Sequence, residues 1–178
     1  TLLYDIFMAM GRKSGLISTV VYRIGEESLA STHTTPDAIR LNAMMRKMVD
    51  CGCQYCFMEV SSHSLAQHRT YGLRFAGGLF TNLTHDHLDY HGTYKEYIRA
   101  KKSFFDNLDK DSWAVVNIDD RNGEVMLQNC SAKGYRLSLR SMADYRTKIV
   151  ELHPDGMLLV IDNQEVWVKF TGRFNAYN

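Results

Sequence analysis

The chain has 178 residues, the size of one domain, and is 45% hydrophobic against 23% charged, which excludes a disordered or collagen-like polymer. No apolar stretch approaches the roughly 20 residues of a spanning helix, so a membrane span is excluded too. Lys plus Arg number 21 and Asp plus Glu 20, and a net charge of +1 leaves no broad basic surface for nucleic acid.

Leu3, Phe7 and Met10 recur at helical spacing up to Gly11, which predicts an opening helix with these three as its buried stripe. Residues 15–24 (GLISTVVYRI) read as one strand. Thr35-Pro36 puts a proline at the first position of the next helix, with Leu41, Met44, Met45 and Met48 as its stripe and Gly52 as its end. Residues 55–60 form an apolar run suited to a buried parallel strand, followed by a short helix through Leu65 and Arg69. Residues 75–81 are the next strand. A polar, histidine-rich loop leads to a helix from Thr93, where Thr93 and Glu96 have capping-box spacing. Residues 113–117 read as a strand and 123–128 as a short helix. This alternation predicts an α/β fold, a mostly parallel sheet with helices on both faces. Beyond Lys133, segments around Tyr135, Ile149, Leu158 and Val166 alternate apolar and polar residues. They are joined by turn signals at Pro154-Asp155-Gly156 and Asp162-Asn163. A C-terminal antiparallel strand region at the edge of the core is expected.

The first residues, TLLYDIFMAM, carry neither a basic leader nor a cleavage site, and a cytoplasmic location is expected. Cys51, Cys53 and Cys56 cluster while Cys130 stands apart, which is no disulfide framework. CQYC runs directly into the apolar FMEV, so these cysteines read as small apolar residues around a buried strand and not as a redox pair.

The helix from Thr93 contains a misplaced charge. At about 100° per residue, Tyr97, Ile98, Phe104, Phe105 and Leu108 share one face, and Lys101 lies in its middle. Such a lysine snorkels, pairs with an acid, or changes its charge. Burial favours the neutral amine, the form that captures CO2 as a carbamate. A carbamate is an anionic, carboxylate-like group that ligates Mg²⁺ or orients a ligand.

HDHLDYH, residues 85–91, packs three imidazoles and two carboxylates into seven residues. A dinuclear zinc hydrolase would show HxHxDH; here the last histidine comes one residue late, so a zinc site on His85, His87 and His91 competes with a plain polar loop. Glu59 closes the apolar strand and precedes Ser61, Ser62 and His63. Ligands gather beyond the carboxyl ends of parallel strands, where Glu59 could serve as a Mg²⁺ ligand. The serines either bind substrate oxygens or cap the next helix. No GxSxG elbow surrounds them. Gln67 and Arg69 lie close by on the chain, and the Arg fork suits a carboxylate or phosphate as well as a surface ion pair.

Three strings in order, THTTPD (32–37), MEVSSHSLAQHR (58–69) and FTNLTHDHLDYHGTYKEYIRAK (80–101), closely resemble the central domain of the Mur ligases, and the closing GRFNAYN resembles that domain's GxFNxxN. The resemblance covers nearly the whole chain. It implies a fold like that of the P-loop NTPases and an ATP-dependent ligase that joins an amino acid to a UDP-muramoyl peptide through an acyl phosphate. SSHSLAQHR points to the member that adds the third residue, meso-diaminopimelate or lysine, to UDP-N-acetylmuramoyl-L-Ala-D-Glu in peptidoglycan synthesis. Residue by residue, the resemblance implies Glu59 and His87 as Mg²⁺ ligands and Lys101 as a carbamylated lysine. It implies Thr34, Thr35, Ser61, Gln67 and Arg69 as contacts for the UDP-muramoyl dipeptide, and Asn178 near the adenine. His33 stands where some relatives carry Asn.

No GxxxxGK[ST] string occurs in the chain. Residues 1–178 are therefore expected to be a central ATPase domain cut just after its phosphate loop, without the N-terminal UDP-binding and C-terminal amino-acid-binding domains. Alone the piece is expected to be inactive and monomeric, with ATP and Mg²⁺ as the cofactors of the whole enzyme. The competing readings are a metal-dependent hydrolase built on residues 85–91 and a non-catalytic interaction module.

Overall fold

The computed structural model describes residues 1–84 and 88–177. They fall into two units, Thr1–Leu73 and Arg74–Asn178.

The first unit opens with helix α1 (Leu2–Ala9), which ends where Gly11 takes a φ of +72°. The expected stripe is rotated: Tyr4 is buried, Phe7 half-buried, and Leu3 and Met10 are exposed. Tyr4 is drawn in because its hydroxyl reaches the Gly25 carbonyl at 2.6 Å. Phe7 packs edge-on against Tyr55 and Phe57. The single strand expected over residues 15–24 is in fact two, β1 (Ser14–Ile17) and β2 (Val21–Ile24), paired antiparallel. Ser18 folds the turn between them by donating from Oγ to the Val21 carbonyl and accepting from the Val21 amide. A third strand, β3 (Glu27–Ala30), extends the meander.

Helix α2 (Ala38–Asp50) begins two residues later than the proline signal implied, because Asp37 caps it by accepting from the Arg40 amide. Leu41, Met44 and Met48 are buried as expected, against Ile17, Tyr22 and Ile24. The chain then forms β4 (Tyr55–Met58), parallel to β1, giving the order β3-β2-β1-β4. β4 is the edge of this sheet, with Tyr55 and Cys56 exposed, so the expectation of a buried strand holds only for its parallel pairing within this unit. The four cysteines are free thiols. Helix α3 (Ser62–Ala66) is shorter than expected and stops before Arg69.

The second unit contains β5 (Gly77–Phe80), α4 (Leu88–His91), α5 (Tyr94–Asp106), β6 (Trp113–Asn117) and α6 (Gly123–Leu127). Four strands follow: β7 (Lys133–Ser138), β8 (Tyr145–His153), β9 (Gly156–Ile161) and β10 (Gln164–Val168). A 3₁₀ turn, Arg173–Tyr177, ends the described chain. The sheet order is β10-β9-β8-β7-β6-β5. From β5 to β8 the pairing is parallel, so the segment around Tyr135 belongs to the parallel part and the antiparallel region starts only at β8. The β9–β10 hairpin closes on Asp162 and Asn163, both at positive φ (50° and 66°), the conformation that a tight hairpin asks of its two central residues. The core sits under α5 and α6, where Phe80, Tyr97, Phe105, Leu108, Val116 and Met126 meet.

Candidate substrate and metal site

Glu59 follows β4 directly, and its amide continues the parallel ladder onto the Ile17 carbonyl at 2.9 Å. That bond carries the side chain to the tip of the β1–β2 hairpin. There Glu59 Oε2 accepts from the Thr19 amide at 3.1 Å and the Thr19 hydroxyl at 2.7 Å. The Thr19 proton being used, Thr34 Oγ1 donates to Thr19 Oγ1 across 3.0 Å. Glu59 Oε1 accepts no hydrogen bond among the described residues. The carboxylate is exposed and aimed by one oxygen, which leaves a hard oxygen donor open, the chemistry that suits Mg²⁺. Thr19 escaped the sequence reading. Its only signal was a polar Ser-Thr pair inside an otherwise apolar run, now the turn of a hairpin.

Thr35 is buried, and its hydroxyl is fully committed: it donates to the Glu59 carbonyl at 2.8 Å and accepts from the Ser61 amide at 3.2 Å. Ser61 caps α3 by accepting from the Ser64 amide, which leaves its own proton available. Arg69 donates from Nη1 to the Thr35 carbonyl at 2.7 Å and from Nε and Nη2 to Gln67 Oε1 at 2.9 and 2.6 Å. His68, at φ +52°, makes the bend that turns Arg69 back. Glu59, Thr34, Thr35, Ser61, Gln67 and Arg69, picked out in two separate strings, thus form one hydrogen-bonded cluster in the first unit. His33 is held by its backbone, its amide donating to the Tyr22 hydroxyl and its carbonyl accepting from it.

The Arg69 fork spans two acceptors at once, which an ammonium on a flexible stem does not reproduce. Arg69→Lys is expected to lower the melting temperature of the protein, because hydrogen bonds from a charged donor are worth ~1.5–3 kcal/mol. A thermal melt beside the unsubstituted protein checks this, and an unchanged midpoint would refute it.

In the second unit Lys101 lies two turns into α5, whose start Thr93 caps by accepting from the Glu96 amide. Its Nζ sits 5.6 Å from the centre of the Tyr97 ring. Burial pushes the Lys101 pKa below that of an ordinary lysine, and among the described residues it has no carboxylate partner. Its neighbour Lys102, by contrast, is paired with Asp106 and donates to the Gln128 carbonyl.

The 3₁₀ turn that precedes Asn178 is tied to the sheet by the Tyr177 hydroxyl, which donates to Asp119 Oδ2 at 3.0 Å. Burial works to raise the Asp119 pKa. Donors on Ser138 Oγ, the Leu139 amide and Tyr177 outweigh it and hold the carboxyl below its usual range. The tie is therefore intact at neutral pH and weakens in acid, as pH falls through that depressed value. His87 and Asn178, and His85 of the zinc reading, lie outside the described residues. His91 belongs to α4, where it stacks on Tyr97. Among the described residues no three His, Cys, Asp or Glu side chains group as a metal site, and no helix is long and apolar enough to cross a membrane.

An α/β unit whose parallel strand ends in an oriented carboxylate, with hydroxyls and a guanidinium gathered round it, is the layout of a ligand-binding domain of the α/β class. The model of the Mur ligase middle domain matches residues 1–178, and the chain belongs to that family. It is 57% identical over 178 residues to the UDP-N-acetylmuramoyl-L-alanyl-D-glutamate--2,6-diaminopimelate ligase of Phocaeicola vulgatus, covering 100% of this chain and 37% of that protein. It is 36% identical to the ligase of the same name from Clostridium tetani, covering 98% of this chain and 36% of the relative. A solved structure of a UDP-N-acetylmuramoyl-L-alanyl-D-glutamate--2,6-diaminopimelate ligase superposes with a TM-score of 0.84 at 26% identity, over 99% of this chain and 37% of that one. MurF from Acinetobacter baumannii, at 14% identity and a TM-score of 0.71 over 99% of this chain and 36% of its own, shares the fold. The chain spans little more than a third, about 37%, of the curated relatives it matches.

Proposed function

We propose that the chain is the central domain of an ATP- and Mg²⁺-dependent ligase that joins 2,6-diaminopimelate to UDP-N-acetylmuramoyl-L-Ala-D-Glu. The observation that carries this reading is the cluster around Glu59, in a chain 57% identical from end to end to a ligase of that name. The peptide carboxylate attacks the γ-phosphorus, the bond to ADP breaks, and an acyl phosphate forms. The incoming amine then attacks the acyl carbon, phosphate leaves, and the amine proton passes to solvent.

In this reading the free oxygen of Glu59, aimed by Thr19, would be available to Mg²⁺, and the resemblance gives His87 the role of a Mg²⁺ ligand too. The bound ion supplies charge neutralisation at the phosphate oxygens. Ser61 and Thr34 meet the muramoyl substrate, while Thr35, Gln67 and Arg69 hold the loop that presents them. Lys101, as a carbamate, adds a fixed negative charge on the metal side, and Asn178 meets the adenine. The chain is read as the central ATPase domain, joined in the whole ligase to a UDP-binding and an amino-acid-binding domain. The protein works in the cytoplasm as a monomer.

A ligation assay on a whole ligase containing this chain tests the proposal. With ATP and Mg²⁺, meso-diaminopimelate is expected to be joined with release of ADP and phosphate, and L-lysine far more slowly. Preference for lysine would overturn the choice of amino acid, and joining of neither would overturn the ligase reading.

A further inference from the structure

The segment NIDDRN, residues 117–122, begins at the last residue of β6 and, apart from the Asp119–Tyr177 tie, lies outside the site described above, yet it is densely bonded. Asn117 and Asn122 are both buried. Asn117 Nδ2 donates to the Thr81 carbonyl at 2.7 Å, while its Oδ1 accepts from the Asp119 amide at 2.9 Å. Asp120 Oδ2 accepts from the Leu83 amide at 2.8 Å, and its Oδ1 accepts from both the amide and the side chain of Asn122, at 2.8 and 3.0 Å. Asn122 Nδ2 also donates to the Tyr94 hydroxyl at 3.0 Å.

One carboxylate, with Asn122 beside it, thereby ties down two stretches that lie 37 and 28 residues earlier on the chain. Thr81 and Leu83 lead into residues 85–87. Tyr94 opens α5, and Lys101 lies two turns further along that helix. Leu83 itself is buried in the core, so removing Asp120 takes the acceptor from the amide of a packed residue.

We infer that Asp120, through Asn117 and Asn122, is a positioning residue for the reaction, holding residues 81–83 and the start of the Lys101 helix in one register. The inference rests on the function proposed above. Asp120 itself touches neither metal nor substrate. It acts by satisfying a buried amide on one side and orienting Asn122 toward Tyr94 on the other.

The test is made in a whole ligase containing this chain, with the unsubstituted enzyme first shown to ligate; if it does not, the functional reading fails and not this one. Asp120→Ala is expected to weaken Mg²⁺ binding on the order of tenfold, read by calorimetry without turnover and, in parallel, as a like rise in the Mg²⁺ concentration for half-maximal ligation, with KM for the amino acid unchanged. Tyr94→Phe, which keeps the ring and removes only the hydroxyl, is expected to move the same Mg²⁺ requirement by roughly two- to fivefold. If circular dichroism shows the alanine variant unfolded, Asp120→Asn, which keeps one of the two acceptor functions, carries the test with a smaller shift in the same direction. An unchanged Mg²⁺ requirement in the folded variants, or a fall in kcat that added Mg²⁺ does not touch, would overturn the inference.

Discussion

Replacing Lys101 with alanine in a whole ligase containing this chain is expected to abolish ligation, with a loss of at least about 10³-fold, or ~4 kcal/mol of transition-state stabilisation. Added acetate should restore part of it. The argument begins with α5. Its apolar face buries Tyr97 and Phe105, and Lys101 lies on that face over the Tyr97 ring. Snorkelling and pairing were the ordinary ways out for such a residue. No acid partner exists among the described residues, and burial has already pushed the amine toward its neutral form. A neutral amine adds to the carbon of CO2, an N–C bond forms, one proton goes to solvent, and the side chain becomes an anion. The sign of the pH dependence follows. Because the folded-state pKa is lowered, the carbamate-forming fraction is small well below that value and grows as pH rises through it. Acetate, a free carboxylate, fills the space that the alanine leaves and supplies the same charge without the tether. Activity near that of the unsubstituted enzyme with no acetate present would sink the assignment.

Local signals in the sequence proved reliable wherever the chain settles its own geometry. Thr93 was readable as a cap because an N-cap needs only a hydroxyl three residues before a free amide, and Asp162-Asn163 as a hairpin turn because few residues accept two positive φ angles. The cluster around Glu59 was legible for a different reason: its residues sit in two short strings that read as recognisable text. What escaped was decided by partners far along the chain. GLISTVVYRI has the composition of one long strand, and only Ser18 bonding back onto Val21 divides it. β7 alternates like an antiparallel strand but lies parallel beside β6, since the choice of neighbour belongs to the sheet and not to the strand. Thr19, which aims Glu59, stands 40 residues before it, and nothing local marks the pair. The α1 stripe was misjudged by a single residue, because the Tyr4 hydroxyl found a carbonyl 21 residues away.

Gly123→Ala is expected to be the most destabilising small substitution in the second unit, costing about 3 kcal/mol and lowering the melting temperature by roughly 6–12 °C. Helix propensity alone argues the other way, since alanine inside a helix is better than glycine by up to ~1 kcal/mol. Steric conflict decides the sign. A Cβ on Gly123 would lie 2.1 Å from the Asn117 carbonyl oxygen, 2.8 Å from its carbon and 3.1 Å from the Ile118 Cα. All three are backbone atoms at the end of β6, a strand held on both sides by β5 and β7, so the strand has nowhere to retreat. α6 would have to move instead. That would pull Met126, now fully buried, out of the core and strain the bonds that Asp120 and Asn122 make a few residues earlier. Gly134→Ala is the matched control. Its Cβ would meet only the end of the Leu127 side chain, at 3.1 Å, which can rotate away, and a change within about 1 kcal/mol is expected. Thermal melts of the two variants beside the unsubstituted protein decide the matter. If Gly123→Ala melts with the parent, the close seat of α6 on the β6 end contributes nothing to stability, and the rigidity claimed for the 117–122 segment loses its physical basis.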